Sequence, residues 1–112
     1  MKIYHNPRCR KSREGLKYLQ DKGIDVQIID YLKNPVSFSE LKEIVMKLGT
    51  KPIDIIRTQE EYYKKNLKGR NFTDEEWLKI IVENPKLLQR PIVVEKHKAV
   101  IGQPPENINQ LL

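Results

Sequence analysis

Residues 2–21 read KIYHNPRCRKSREGLKYLQD and contain a strand, a break and a helix. Lys2–His5 predicts a short strand, and Pro7 ends it because proline lacks a backbone donor and fixes its own φ. From about residue 11 to residue 21 the apolar side chains recur at helical spacing, and residues 26–31 predict the next strand. A strand, a helix and a strand within about 30 residues indicate a βαβ unit with parallel strands and a right-handed crossover.

The middle of the chain is predicted to be helical. Ser37 and Thr73 each stand three residues before a glutamate, the pattern of a capping box at a helix start. Trp77 lies on the apolar side of the second of these helices, where a core role is the expected one. Pro52 is predicted to open a short helical turn.

The C-terminal part returns to strands. Residues 91–95 and 99–101 are apolar runs joined by a short connection, which predicts an antiparallel hairpin. Pro104 and Pro105 then open a last helix. Proline is tolerated in the first turn, because an N–H there would have no partner within the helix. The whole pattern predicts one α/β domain over residues 1–112, built on a mixed sheet.

Composition limits the classes of function. The chain has 112 residues, with 21 Lys+Arg against 15 Asp+Glu, a balance of +6. Most of these charges alternate in sign, which is typical of a solvated surface, so we expect no nucleic-acid partner. No apolar run approaches the 20 or so residues of a membrane span, and the N-terminus lacks the apolar stretch of a signal peptide. We therefore expect a cytoplasmic protein with no membrane partner.

Cys9 is the most informative residue for function. It is the single cysteine, so neither an internal disulfide nor a Cys-rich metal site is expected. It stands at the predicted start of a helix, where free N–H groups and the helix dipole favour a thiolate, and Arg8, Arg10 and Arg13 add positive charge. The sequence predicts a reactive nucleophile with a lowered pKa, the alternative being a small buried apolar side chain.

The spacing around Cys9 indicates how it would be regenerated. Cys9 and Ser12 form a Cys-x-x-Ser sequence, in which Ser12 either donates a hydrogen bond to the thiolate or is a plain first-turn polar residue. With no second cysteine, an oxidised Cys9 must be resolved by an outside thiol. We expect glutathione or a dithiol protein as this second substrate, with no tightly bound cofactor and no metal.

Two segments resemble a known family. Residues 3–13, IYHNPRCRKSR, are similar to the active-site loop of the ArsC-type, glutaredoxin-coupled arsenate reductases, and residues 88–94, LQRPIVV, resemble that family's second motif. The resemblance covers the whole chain and places it in the wider ArsC/Spx/YffB-like superfamily. It implies a thioredoxin-like fold with a helical insertion, roughly residues 34–88.

The resemblance also implies roles for individual residues. In the family the motif cysteine attacks arsenate while arginines hold the oxyanion, glutathione adds to the adduct, and glutaredoxin reduces the mixed species to release arsenite. Pro91 corresponds to a proline that is cis in thioredoxin-like folds. The other positions are Cys9 as the nucleophile, His5 and Ser12 as residues that tune it, and Arg57 and Arg90 as oxyanion ligands.

The residues alone argue less strongly for these additional roles. Arg57 and Arg90 each stand beside apolar residues, and their alternative is a surface arginine whose stem covers apolar area. His5 has the alternative of a strand-end histidine satisfied by the backbone. His97, in the predicted hairpin connection, is expected to be exposed and without a role.

One position departs from the family pattern. Where the family has a third arginine before a proline, this chain has Gln103 before Pro104. An amide can hydrogen-bond an oxyanion but supplies no charge. The sequence therefore leaves three hypotheses: an arsenate reductase, a YffB-type glutathione-dependent thiol oxidoreductase, and an Spx-like regulator that binds RNA polymerase. We expect a monomer.

Overall fold

The computed structural model describes residues 1–112, which form a four-stranded sheet with four α-helices and three 3₁₀ helices. By its packing the chain divides into two compact units, residues 1–34 with 90–112 and residues 35–89. The second unit is inserted in the chain between the second and third strands. The prediction that residues 1–112 form a single domain stays a prediction.

The first unit contains the sheet. Strands β1 and β2 are parallel, with Ile3 opposite Ile28, whereas β3 is antiparallel to β1 and β4 is antiparallel to β3. The order across the sheet is β2-β1-β3-β4, which confirms the predicted parallel βαβ unit and the C-terminal hairpin. The elements of this unit are β1 (Lys2–His5), α1 (Arg10–Asp21), β2 (Gln27–Asp30), β3 (Ile92–Val94), β4 (Ala99–Ile101) and a 3₁₀ helix (Pro105–Leu111).

One apolar core joins α1, the sheet and the C-terminal 3₁₀ helix. Leu19 of α1 is fully buried, and it belongs to the same cluster as the β-strand residues Ile3 and Val93 and the C-terminal Ile108. The predicted last helix is therefore present, but as a 3₁₀ helix. This packing fixes the N-terminal end of α1 against the ends of β1 and β3, which is where the candidate site lies.

The second unit is helical. Helix α4 packs on α2 and on two 3₁₀ turns. Both predicted N-caps are present: Ser37 accepts a hydrogen bond from the Glu40 N–H, and Thr73 forms a full capping box with Glu76. Its elements are α2 (Phe38–Leu48), a 3₁₀ turn (Pro52–Ile55), α3 (Glu61–Asn66), α4 (Asp74–Glu83) and a second 3₁₀ turn (Pro85–Leu87).

Trp77 has the core role expected for it. Its side chain is 3% exposed and packs edge-to-face on Phe72, with ring centroids 4.8 Å apart. None of the helices combines the length and the apolar character that a membrane crossing requires.

Candidate active site

Cys9 occupies the N-cap position of α1 in extended conformation, with φ −95° and ψ 123°. Its N–H donates to the carbonyl of Asn6 at 3.0 Å, which closes the turn after β1. Its carbonyl accepts from the N–H of Arg13 at 3.0 Å, the first hydrogen bond of the helix. The thiol is partly exposed, so the alternative of a buried apolar cysteine is wrong.

The surroundings of Cys9 lower its thiol pKa. Burial of the thiol is the largest single influence and raises the pKa, but it is outweighed by several groups acting together. In decreasing order these are the backbone N–H of Ser12, the charge of the Arg90 guanidinium, the backbone N–H of Lys11 and a hydrogen bond from the Arg90 side chain. Neither backbone N–H makes a full cap hydrogen bond to sulfur, so both act as nearby dipoles. The net direction favours the thiolate.

The cation that acts on the thiol is not one of the three near it in sequence. Arg10 pairs with Glu14 one turn along α1, with 3.1 Å between Nε and Oε1. Arg13 donates from Nη1 to the Pro7 carbonyl at 3.0 Å, and Arg8 is exposed. The sequence-based expectation that Arg8, Arg10 and Arg13 stabilise the thiolate is therefore replaced by Arg90, which only the tertiary fold brings to the sulfur.

His5 and Ser12 form a buried polar pair below the thiol. His5 Nδ1 and Ser12 Oγ share a hydrogen bond of 2.7 Å, and the N–H of Asn6 donates to the same hydroxyl oxygen at 2.9 Å. Burial lowers the pKa of His5, and the charge of Arg13 acts in the same direction, while Asp30 and Ser12 oppose it. The net shift favours the neutral form of the His5 ring. Ser12 acts on the thiol through its backbone N–H, while its hydroxyl holds the turn.

Pro91 anchors the site between two glycines. The Arg90–Pro91 peptide bond is cis. A Cβ added to Gly15 would stand 2.6 Å from Cγ of Pro91, and one added to Gly102 would stand 3.1 Å from the same atom. The absence of side chains at both positions lets the proline ring lie directly on α1 and on the end of β4. Arg90 directly precedes this proline, so the backbone at Arg90 lies near the helix that Cys9 caps.

Gln103 and Arg90 flank a hydrogen-bonded pair at the end of the C-terminal hairpin. Ile92 pairs with Ile101, and the N–H of Gly102 donates to the carbonyl of Pro91 at 2.8 Å; Arg90 precedes this proline and Gln103 follows this glycine. The Gln103 carbonyl accepts from Nδ2 of Asn107 at 3.1 Å, which holds the turn in place. Two buried atoms here have no hydrogen-bond partner: Nε of Arg90 and Oε1 of Gln103.

Arg57 belongs to the second unit. It follows the first 3₁₀ turn, and its N–H donates to the carbonyl of Leu87 at 2.7 Å. Its guanidinium is mostly buried and forms a hydrogen-bonded ion pair with Glu60, a partner that no pattern in the sequence indicated. Its assignment as a substrate ligand stays a prediction.

A shallow groove lies on the outer side of the Cys9 turn. Its volume is about 240 Å³, and its walls come from the turn itself and from the segment after β2. Arg8 and Lys33, both exposed, carry its positive charges, and Asp30 carries its negative charge. The other lining residues are Asn6, Pro7 and Leu32.

Comparison with known proteins identifies the family. A sequence profile of the ArsC family matches residues 4–111. The chain belongs to the ArsC family. An arsenate reductase of Haemophilus influenzae is 44% identical to this ArsC-family chain over 112 residues, which cover 98% of the chain and 97% of the relative.

Further relatives agree in sequence and in structure. An arsenate reductase of Neisseria meningitidis serogroup A is 41% identical over 114 residues, covering 100% of this chain and 97% of the relative. The solved structure of an arsenate reductase from Vibrio cholerae matches this ArsC-family chain with a TM-score of 0.93 at 41% identity, covering 100% of this chain and 98% of that one. The resemblance and the thioredoxin-like α/β class predicted from the sequence are confirmed.

Several residues of the site could not be recognised locally. Gly15 carries a weak signal, because a glycine inside a helical pattern is unfavourable and indicates a close contact. Gly102 and Asn107 carry no such signal, since their roles depend on the proline and the turn that they meet in the fold.

Proposed function

We propose that the protein is an oxidoreductase that reduces arsenate to arsenite, with Cys9 as the nucleophile and with glutathione and glutaredoxin as the source of electrons. The observation that supports this most directly is the contact of Arg90 with Cys9, which lowers the thiol pKa. A thiolate is the nucleophilic form of cysteine, and the same guanidinium offers further donors to an oxyanion.

The first step forms a bond without a change of oxidation state. The Cys9 thiolate attacks the arsenic of arsenate, a sulfur–arsenic bond forms, and one oxygen leaves as hydroxide, which a proton converts to water. Arg90 neutralises charge on the oxyanion as the leaving oxygen departs.

Reduction needs two electrons, which two thiols supply when they join as a disulfide. Glutathione adds to the Cys9 adduct: its sulfur bonds to arsenic, and a second oxygen leaves as water. A glutaredoxin thiol then attacks the glutathione sulfur, the electron pair of the arsenic–glutathione bond passes to arsenic, and a mixed disulfide of glutathione and glutaredoxin forms. Water displaces the reduced arsenic from Cys9 as arsenite and leaves the Cys9 thiolate. An outside thiol is required because Cys9 is the single cysteine of the chain.

The groove beside the Cys9 turn is the proposed approach for glutathione. This tripeptide carries two carboxylates and one ammonium group, which match the charges of Arg8, Lys33 and Asp30 at the groove. Exchange of Arg8 for glutamine should raise the KM for glutathione severalfold with little change in kcat. An unchanged KM would remove the groove from the proposal while leaving the role of Cys9 intact.

A coupled assay tests the proposal as a whole. NADPH oxidation is followed with glutathione, glutathione reductase and glutaredoxin present, with and without arsenate. We expect arsenate-dependent oxidation that is abolished in Cys9→Ser and lowered in Arg57→Gln, the variant that tests the family-based role of Arg57. The absence of arsenate-dependent oxidation beside an active ArsC-family reductase would reject arsenate as the substrate.

Gln103 favours a second candidate, a glutathione-dependent thiol oxidoreductase. An amide at this position gives the site one charge fewer than the family pattern. In that case the substrate would be a mixed disulfide between glutathione and another thiol. The same coupled assay distinguishes the candidates: turnover of a glutathione mixed disulfide without turnover of arsenate would support the second, and a large gain of arsenate turnover in Gln103→Arg would show why.

A further inference from the structure

The site contains two buried atoms of opposite hydrogen-bonding character, neither of which has a partner. Nε–H of Arg90 is a donor, and Oε1 of Gln103 is an acceptor. Buried polar atoms in folded proteins are almost always paired, and leaving one unpaired has a free-energy cost. Two such atoms in one small site indicate that a ligand completes them.

The two residues flank the same hydrogen-bonded pair of the fold. The hydrogen bond from Gly102 N–H to the Pro91 carbonyl follows the last β3–β4 pair, and Arg90 and Gln103 are the chain neighbours of Pro91 and Gly102. Arg90 also lies close to the Cys9 sulfur.

Nε–H of Arg90 and Oε1 of Gln103 are together complementary to a ligand that accepts one hydrogen bond and donates another. An oxyanion oxygen accepts from Arg90, but with the Gln103 amide oriented as in this structure, Oε1 inward, it presents only lone pairs to Oε1, which is an unfavourable contact. A hydroxyl of a partly protonated oxyanion has the hydrogen that Oε1 requires. Arsenate and phosphate carry such a hydroxyl at neutral pH, whereas sulfate is fully deprotonated and has none.

We propose that Gln103 is a specificity-determining residue that accepts a hydrogen bond from the hydroxyl of a protonated tetrahedral oxyanion, and that it thereby excludes sulfate. This inference rests on the proposed function for the location of the anion beside Cys9. With an amide at this position, binding depends on a proton carried by the ligand, whereas with an arginine it would depend on the negative charge of the ligand. In a sulfate complex Oε1 of Gln103 would stay unpaired. The cost of this unpaired acceptor corresponds to an affinity for sulfate roughly tenfold or more below that for phosphate or arsenate.

The inference is tested by measuring how well different anions protect Cys9 from alkylation. The rate of iodoacetamide labelling is measured at neutral pH and constant ionic strength against rising concentrations of phosphate, arsenate or sulfate. The variants are Gln103→Arg, which replaces the acceptor by donors, and Gln103→Met, which removes hydrogen bonding at similar volume. Gln110→Arg, at an exposed position of the C-terminal 3₁₀ helix, controls for the added charge.

The unmodified protein should be protected by phosphate and arsenate at concentrations at least tenfold lower than by sulfate. Gln103→Arg should narrow this preference through a gain in sulfate protection, Gln103→Met should narrow it through a loss of phosphate protection, and Gln110→Arg should leave it unchanged. Equal protection by sulfate and phosphate in the unmodified protein would overturn the inference while the anion site stands. Protection by no anion would overturn both the inference and the arsenate form of the proposed function.

Discussion

The guanidinium of Arg90 lies beside the sulfur of Cys9, although one residue precedes β3 and the other caps α1 at the opposite end of the chain. Pro91, which follows Arg90, packs its ring against Gly15 in the same helix. The fold therefore brings a fixed positive charge to the thiol from a distant segment.

Exchange of Arg90 for glutamine should shift the titration of Cys9 to higher pH. The variant loses both the charge and the hydrogen bond that lower the thiol pKa, so less thiolate is present at neutral pH. The rate of alkylation measured from acid to alkaline pH reports the midpoint. Arg10→Gln is the matched control, because Arg10 pairs with Glu14 and does not act on the thiol. Equal shifts in the two variants would show that the effect is one of overall charge.

Gly15→Ala should destabilise the protein by about 1–3 kcal/mol, because the new methyl group would meet Cγ of Pro91 at 2.6 Å. Helix propensity alone predicts the opposite sign, a gain of about 0.5–1 kcal/mol. Urea unfolding distinguishes the two. Gln20→Ala, at an exposed position of the same helix, is the control and should change the free energy of unfolding little. A stabilised Gly15→Ala protein would mean that the proline contact is loose.

Ser12→Ala should lower the free energy of unfolding by about 1–3 kcal/mol, because the Asn6 N–H and His5 Nδ1 lose their shared partner. The Cys9 midpoint should move little, since the Ser12 backbone N–H that acts on the thiol is retained. Ser39→Ala, on the exposed face of α2, is the control. A large shift of the midpoint with unchanged stability would instead give the hydroxyl the tuning role that the family resemblance implies.

The free energy of unfolding should decrease as the pH is lowered, because of the titration of His5. Burial lowers the pKa of His5 in the folded protein, so below about pH 6.5 the unfolded chain takes up the proton before the folded protein does. The stability of the folded state therefore declines as the pH falls from the unfolded pKa to the folded one, and does not change through this group below that. His5→Asn should flatten the decline, measured by urea unfolding at several pH values, and His97→Asn should not. Identical slopes in all three proteins would contradict a lowered pKa.

Much of the fold was predictable because its signals are local. These signals act on the neighbouring backbone, so they predict helices and strands without knowledge of the tertiary structure. They include Pro7, the helical period of residues 11–21 and the cap residues Ser37 and Thr73. Helix α3 was missed because its residues, Glu61–Asn66, include no buried side chain and hence no apolar stripe.

The candidate site was predictable only in part. Cys9 was recognised from its own surroundings, because a helix start is a local feature. Arg90 could be named only through the family resemblance, since a long-range contact leaves no pattern in nearby residues. The same limit explains why Arg8, Arg10 and Arg13 were favoured over it, and why the ion pair of Arg57 with Glu60 was not expected.

The pH dependence of Cys9 alkylation is the most direct test of the central claim, that the fold holds this thiol as a thiolate. The label is unambiguous, since the chain has one cysteine, and the same protein unfolded in urea supplies the reference titration. The account predicts a midpoint for the folded protein below that of the unfolded chain, together with slower labelling when arsenate is present. A folded midpoint at or above the unfolded one would contradict it.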